Sequence, residues 1–233
     1  MESGMVVEFA HEPAASSDED LLRHYGLSSS LVHDALRRGT SRALSRSGFA
    51  NAGAENTDIY HDGSEDLRKS LARSGWVVAT VENQKRIVHP EALMSIVVAS
   101  ADNVGAKGDP RRQPLTREKG PATLNSIRKT QQADGQAFFQ LPGIPDPDPV
   151  SPEALAAVAP LWMLLHQLEE RTLLLELSEP AGFRVDRRVN TWRQRIHLQP
   201  LVLEDDFDFD FDASFGQPED RPDEGVNIPI RRR

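Results

Sequence analysis

Four charged residues around a predicted pair of strands are the first candidates for chemistry: Glu82, Lys85, Glu91 and Asp102. A metal-dependent nuclease uses acids and a lysine on neighbouring strands to hold magnesium and to activate a water molecule. Glu82 and Lys85 are three residues apart, and both fall in a segment that we interpret as a turn. This spacing favours a charged turn, and a degenerate metal-dependent nuclease stays as an alternative.

The other side chains that could catalyse a reaction are scattered along the chain. His89, His166 and His197 fall in three separate segments, without the paired spacing that binds zinc on one helix. The chain has no cysteine and no nucleophile elbow, so it offers neither thiolate chemistry nor a serine-hydrolase motif. We expect a protein without an identifiable catalytic residue, metal or cofactor.

Positive charge is concentrated between residues 107 and 129, which contain seven bases and two acids. Lys119 and Gly120 directly precede a predicted helix that begins near Pro121, a residue suited to the first helical position. The free N–H groups and the dipole of a helix N-terminus favour an anion. This segment is the best phosphate-binding candidate in the sequence, although it lacks the glycine spacing of a nucleotide-binding loop.

A second concentration of positive charge lies in residues 190–198, which alternate between apolar and basic side chains as a half-buried strand does. Arg193, Arg195 and His197 then share one face, which we interpret as a basic outer face. The two regions together give our expected anion-binding residues: Arg111, Arg112, Arg117, Lys119, Arg128, Arg193 and Arg195.

The acidic charge of the chain lies near its C-terminus. Residues 204–224 hold ten acids and one arginine, which together account for the whole net charge of −9. Within them Phe207, Phe209 and Phe211 alternate with aspartate, so an extended chain would place all three rings on one side. We predict a tail that is disordered when unbound, that competes with anionic ligands, and whose phenylalanines contact a partner.

Residues 64–102 contain the clearest structural signals. Ser64 is a candidate helix N-cap, Leu67 and Leu71 form an apolar stripe, and Gly75 suits the end of the helix. The segments 76–81, 86–88 and 94–99 are rich in β-branched residues and predict strands, the last one buried on both faces.

Further elements are expected on both sides of that region. Two helices, one over 18–25 and one that starts at Ser28 or Ser29, precede a predicted loop over 47–63. The second helix carries several arginines, which is typical of a helix-turn-helix, but an αα-hairpin with a solvated basic face is favoured. Residues 161–168 favour a strand, residues 172–177 suit a strand or a helix, and Pro180 and Gly182 are expected to break the chain.

The sequence therefore predicts an α+β fold, with a small mixed or antiparallel sheet, flanking helices and disordered terminal tails. We divide it into a flexible tail (1–16), a helical hairpin with an α-β-β core and the basic loop (17–132), a proline-rich linker (133–160), a β-rich segment that completes the same sheet (161–203) and the acidic tail (204–233).

These features fit best a non-enzymatic accessory or regulatory protein of a bacterial-type system. We expect it to bind an anionic partner, and nucleic acid is the favoured one. A protein-interaction module that docks an acidic protein is a further alternative. The N-terminal residues lack the basic and apolar regions of a signal peptide, and no apolar run approaches the ~20 residues of a membrane span. We therefore expect a cytoplasmic protein with no membrane contact.

Overall fold

The computed structural model describes residues 17–106, 111–133 and 151–203, except for the side chains of residues 132 and 133. The helices are α1 (Asp18–His24), α2 (Ser29–Leu44), α3 (Ala54–Arg73), α4 (Pro121–Ala133) and α5 (Pro152–Val158). The strands are β1 (Val77–Val81), β2 (Gln84–Val88), β3 (Ser95–Asp102), β4 (Leu115–Thr116), β5 (Leu161–Glu169), β6 (Thr172–Phe183), β7 (Val189–His197) and β8 (Leu201–Val202). Both expected tails and residues 134–150 of the expected linker lie outside the described residues.

The described strands form one mixed sheet in the order β1-β2-β3-β5-β6-β7, with β4 paired to β3 and β8 paired to β6. β3 and β5 run parallel, and the other pairs are antiparallel. A parallel pair needs a crossover connection, and the chain between β3 and β5 contains β4, α4 and α5. The expected α+β fold is confirmed, and the segment 172–177, which the sequence left open, is a strand.

Helices cover both faces of this sheet because the central strands are apolar on both sides. Val98 and Leu164 belong to a core cluster that also contains residues of α1, α2 and α3. Their neighbours in the sequence point the other way, and Ala99 and Leu165 belong to a second cluster with Ile127 of α4. Side chains alternate along a strand, so the central strands have to be covered by helices on both faces.

α3 is longer than the sequence indicated, and the loop predicted over residues 47–63 is wrong in its second half. The helix begins at Ala54 after Gly53, whose φ is 80° and which provides no side-chain cap. Ser64, the expected N-cap, is buried in the middle of the helix. The end of the helix at Gly75 is confirmed, because Trp76 N–H donates to Leu71 O at 3.1 Å in a Schellman motif.

α2 and α3 form the long helical hairpin of the protein, and two glycines let them approach closely. A Cβ at Gly39 would lie 2.9 Å from the backbone oxygen of Asp58, and one at Gly63 would overlap Leu36 Cδ2. The close helix pair is therefore α2–α3, and not α1–α2, the two helices that the sequence suggested as a hairpin. Gly63 also interrupts the apolar stripe of α3, which hides the first half of this helix from a search for hydrophobic periodicity.

The expected chain break at Pro180 and Gly182 is also wrong, because β6 continues through both residues to Phe183. The register with β7 shifts between Glu179 and Pro180 and again around Gly182. Such bulges accommodate a residue that cannot donate to the ladder without ending the strand. Within the described part of the chain, no helix combines the length and apolar character that a membrane span needs.

Candidate anion-binding surface

Three arginines pair with acids of α3: Arg38 and Arg42 of α2, and Arg46 just after this helix ends. Arg38 Nε lies 2.7 Å from Asp66 Oδ2, and Arg46 donates two hydrogen bonds to Asp58, at 2.6 Å and 2.7 Å. Arg42 lies 3.5 Å from both Asp58 and Asp62. The hydrogen bonds from Arg46 lower the pKa of Asp58. The solvated basic face expected on this helix is therefore compensated within the hairpin.

The strand face of β7 is compensated by buried acids of β6. Glu176 is fully buried, and Arg195 donates to both of its carboxylate oxygens, at 2.6 Å and 2.8 Å. His197 Nδ1 lies 3.5 Å from the same carboxylate, and Arg193 Nη1 lies 3.1 Å from Glu179 Oε1. Arg195 and His197 are also largely covered, with side chains 17% and 15% exposed. This face therefore offers much less free positive charge than its sequence indicates.

Glu176 remains charged despite its burial. Burial alone would raise its pKa, but hydrogen bonds from Arg195 and Ser178, together with the charge of Arg195, hold the pKa below its usual value. Sequence reasoning missed this acid, because it lies inside the apolar run Leu173–Leu177.

The strongest positive region forms where two distant segments meet. Lys119 N–H donates to Arg187 O at 3.0 Å, and Val189 N–H donates to Thr116 Oγ1 at 3.0 Å. Arg188 Nε donates to Thr116 O at 2.7 Å. The turn between β6 and β7 is thereby held against the segment between β4 and α4.

We call the segments 111–129 and 184–188 the basic surface. Together they contain nine bases and two acids. The bases are Arg111, Arg112, Arg117, Lys119, Arg128, Lys129, Arg184, Arg187 and Arg188. Sequence reasoning missed the last three, although the run Arg-Val-Asp-Arg-Arg was visible, because nothing local connects it with Lys119.

Only part of this charge is compensated by acids. Asp102 lies 3.4 Å from both Arg117 and Arg188, Glu118 pairs with Arg187, and Asp186 lies 3.7 Å from Arg184. Among the described residues, no carboxylate pairs with four of the cations: Arg112, Lys119, Arg128 and Lys129. Each of the three acids is at least 46% exposed in its side chain, so water screens these pairs.

Lys119 is half-buried at the start of α4, and burial lowers its pKa to about 8. Its ammonium therefore carries most of a positive charge at pH 7 without a carboxylate partner among the described residues. Burial is the main cause that lowers the pKa of His166 to about 4, and the positive charge of Lys119 lowers it further. His166 is neutral at physiological pH, and neither ring nitrogen has a hydrogen-bond partner within the described part of the protein.

α4 joins the basic surface to the sheet. Arg128 lies over the ring of Phe183 at 5.1 Å, a cation–π contact that keeps its guanidinium at the end of β6. Buried Arg86 of β2 donates to Ser126 Oγ of the same helix at 2.8 Å and to Gln84 Oε1. Burial lowers the pKa of Arg86 to about 10, so it also remains charged.

The residues considered for a nuclease do not come together. Glu82 and Asn83 form the β1–β2 turn with φ of 48° and 65°, and Asn125 donates to Glu82 at 3.0 Å. Asp102 contacts arginines and not the other candidate acids. Across the described ranges, no group of three His, Cys, Asp or Glu side chains is arranged to hold a metal ion. Phe207, Phe209 and Phe211 lie outside the described residues.

Comparison with protein-family models, with curated proteins and with solved structures found no match. The chemistry of the surface is therefore the basis for any functional statement. That chemistry is a concentration of guanidinium and ammonium groups, which exposed acids compensate only in part.

Proposed function

We propose that the protein is a non-enzymatic accessory or regulatory protein that binds an anionic partner, nucleic acid, through its basic surface. The observation that carries the proposal is the docking of the β6–β7 turn on residues 116–119, which joins two arginine-rich segments into one surface. Phosphate groups are the natural ligands of such a cluster, since arginine matches their geometry and charge.

Arg193 and Arg195, which the sequence placed among the binding residues, support the proposal less than the basic surface does. Arg193 already pairs with Glu179, and Arg195 with Glu176. An incoming phosphate would have to displace a fully buried carboxylate to reach Arg195, which is unfavourable in a low-dielectric environment. The proposed contacts therefore centre on Arg111, Arg112, Arg117, Lys119 and Arg128, with Arg184, Arg187 and Arg188 added.

The test is binding of the full chain to a fluorescent mixed-sequence DNA duplex at several salt concentrations. If phosphates are the ligands, log K should fall linearly with log salt, by about 0.9 per phosphate contact. Arg111→Ala/Arg112→Ala should weaken binding about tenfold and reduce the slope by about 1.8. Binding that does not depend on salt would contradict the proposal.

A matched control removes the same charge from the helical hairpin. Arg37 and Arg73 are exposed on α2 and α3, and Arg37→Ala/Arg73→Ala should change affinity less than about twofold, because screening weakens distant charges. Equal effects of the two double variants would mean that only net charge matters. A chain that ends at Leu203 serves as a further arm, and it should bind more tightly if the acidic segment competes with phosphate.

A further inference from the structure

The connection between β3 and β4, which carries Arg111 and Arg112, is anchored near both of its ends by side chains of other strands. Val104 N–H donates to Gln167 Oε1 at 2.9 Å, and Gly105 N–H donates to Glu176 Oε2 at 3.2 Å. At the other end, Gln113 Oε1 accepts from Arg195 at 3.3 Å, and Pro114 O accepts from Trp192 Nε1 at 3.0 Å. These anchors come from β5, β6 and β7.

Glu176 connects the two ends. One of its oxygens accepts from Gly105 N–H and the other from Ser178 Oγ at 2.5 Å, while Arg195 binds both oxygens. Arg195 reaches Gln113 with its remaining nitrogen. The buried acid therefore holds residue 105 directly and residue 113 through Arg195.

We infer that Glu176 is a positioning residue for the basic surface: it holds Gly105 directly and Gln113 through Arg195, and thereby fixes where Arg111 and Arg112, next to Gln113, stand. This inference rests on the proposed function. It also explains why a fully buried carboxylate sits in the sheet, where two apolar side chains of similar volume would give comparable or greater stability. The charge of Glu176 binds groups inside the protein and is not presented to a ligand.

The inference predicts an effect opposite to that of simple electrostatics. Glu176→Gln removes a negative charge, and by net charge alone it should strengthen binding to an anion. If Glu176 positions the connection, the same change should weaken DNA binding about tenfold and reduce the salt slope by about 1.8, the value of two phosphate contacts. Glu153→Gln removes an exposed acid from α5 and is the matched control, with affinity unchanged or slightly increased.

Stability and positioning are separated by Glu176→Met/Arg195→Met. Replacement of a buried ion pair by apolar side chains often preserves stability, so this variant should keep its melting temperature. It cannot hold Gly105 or Gln113, and it should still bind DNA about tenfold more weakly than the wild type. A variant that keeps both its melting temperature and its DNA affinity would overturn the inference.

Amide hydrogen exchange provides a readout that does not need a ligand. The Gly105 amide should exchange at least about tenfold faster in Glu176→Gln than in the wild type, because its acceptor is weakened. If the double methionine variant does not fold, Gln167→Ala, which removes the acceptor of Val104 N–H, replaces it with the same expected loss of affinity. Unchanged exchange at Gly105 would overturn the inference. A wild-type chain that binds no DNA would overturn the proposed function, and the exchange result would then still test whether Glu176 anchors Gly105.

Discussion

The α2–α3 hairpin and the basic surface are both rich in arginine, but their charges are arranged differently. In the hairpin, Arg38, Arg42 and Arg46 each lie within ion-pair distance of an acid on the facing helix. In the basic surface, nine bases are interspersed with two acids, and Asp102 adds a third. In the hairpin the charges hold two helices together, whereas the basic surface keeps an excess of positive charge at the protein surface.

This difference shows that the number of cations in a segment does not identify a binding site. The basic helix α2 looks as suitable for nucleic acid as the segment 107–129 when only the sequence is considered. The positions of the acids distinguish them, because Asp58 and Asp62 are buried against α2 while Glu118 and Asp186 are exposed. A buried acid fixes its arginine, and an exposed acid leaves its arginine able to exchange partners in water.

The largest expected effect that separates the two regions is on stability. Gly39→Ala should lower the free energy of unfolding by about 1–3 kcal/mol, because the added Cβ would lie 2.9 Å from a backbone oxygen of α3. DNA affinity, measured at a temperature where the variant is folded, should be unchanged. Urea unfolding measures the first quantity, and Gly48→Ala, with nothing within 4 Å of the added Cβ, is the control.

The distinction between the hairpin and the basic surface would be wrong if Gly39→Ala weakened DNA binding as strongly as Arg111→Ala/Arg112→Ala does. The hairpin would then contribute to the binding surface and would not be a purely structural unit. The distinction would also be wrong if Gly48→Ala destabilised the protein as much as Gly39→Ala, since close packing would then not explain the loss.

A smaller effect is expected from pH and concerns the basic surface alone. Between pH 7 and pH 9, Lys119 passes through its pKa of about 8 and loses its charge, while every arginine keeps its own. DNA binding should therefore weaken severalfold, at most about tenfold for a single titrating group. Lys119→Met should remove this pH dependence, and a wild-type affinity that is the same at both values would contradict the assignment.

The stability of the free protein should change in the opposite direction over a neighbouring range. Since burial places the pKa of folded Lys119 below that of the unfolded chain, the unfolded state binds more protons between about pH 8 and pH 10.4. Stability that depends on this group therefore rises as the pH rises through that window. His166 does not interfere, because burial keeps it neutral across the whole range.

Local patterns were enough to predict much of the fold. Residues 161–168 and the strand around Arg195 were predicted from apolar runs and alternation, and the start of α4 at Pro121 was predicted from its flanking residues. These signals depend on neighbours within one element, where the period of the side chains reveals the structure. The α+β class follows from them.

The parts that were missed depend on contacts between distant residues. The first half of α3 has no capping side chain, and its acids at 58 and 62 are buried only because arginines of α2 face them. The β6–β7 turn belongs to the basic surface through a hydrogen bond between residues 119 and 187. Burial of Glu176 likewise depends on the fold as a whole, so no local pattern could have revealed it.

The smallest expected effect comes from the removal of one acid from each region in turn. Asp186→Asn removes an exposed acid from the basic surface and should strengthen DNA binding about twofold, because Arg184, 3.7 Å away, is no longer paired. Glu65→Gln makes the same change on the hairpin, where the acid pairs with Lys69, and should leave affinity within error. Titrations at low salt resolve a twofold difference, and at high salt it should disappear as screening increases. Equal strengthening by both variants would show that DNA responds to the net charge of the protein and not to the arrangement of the basic surface.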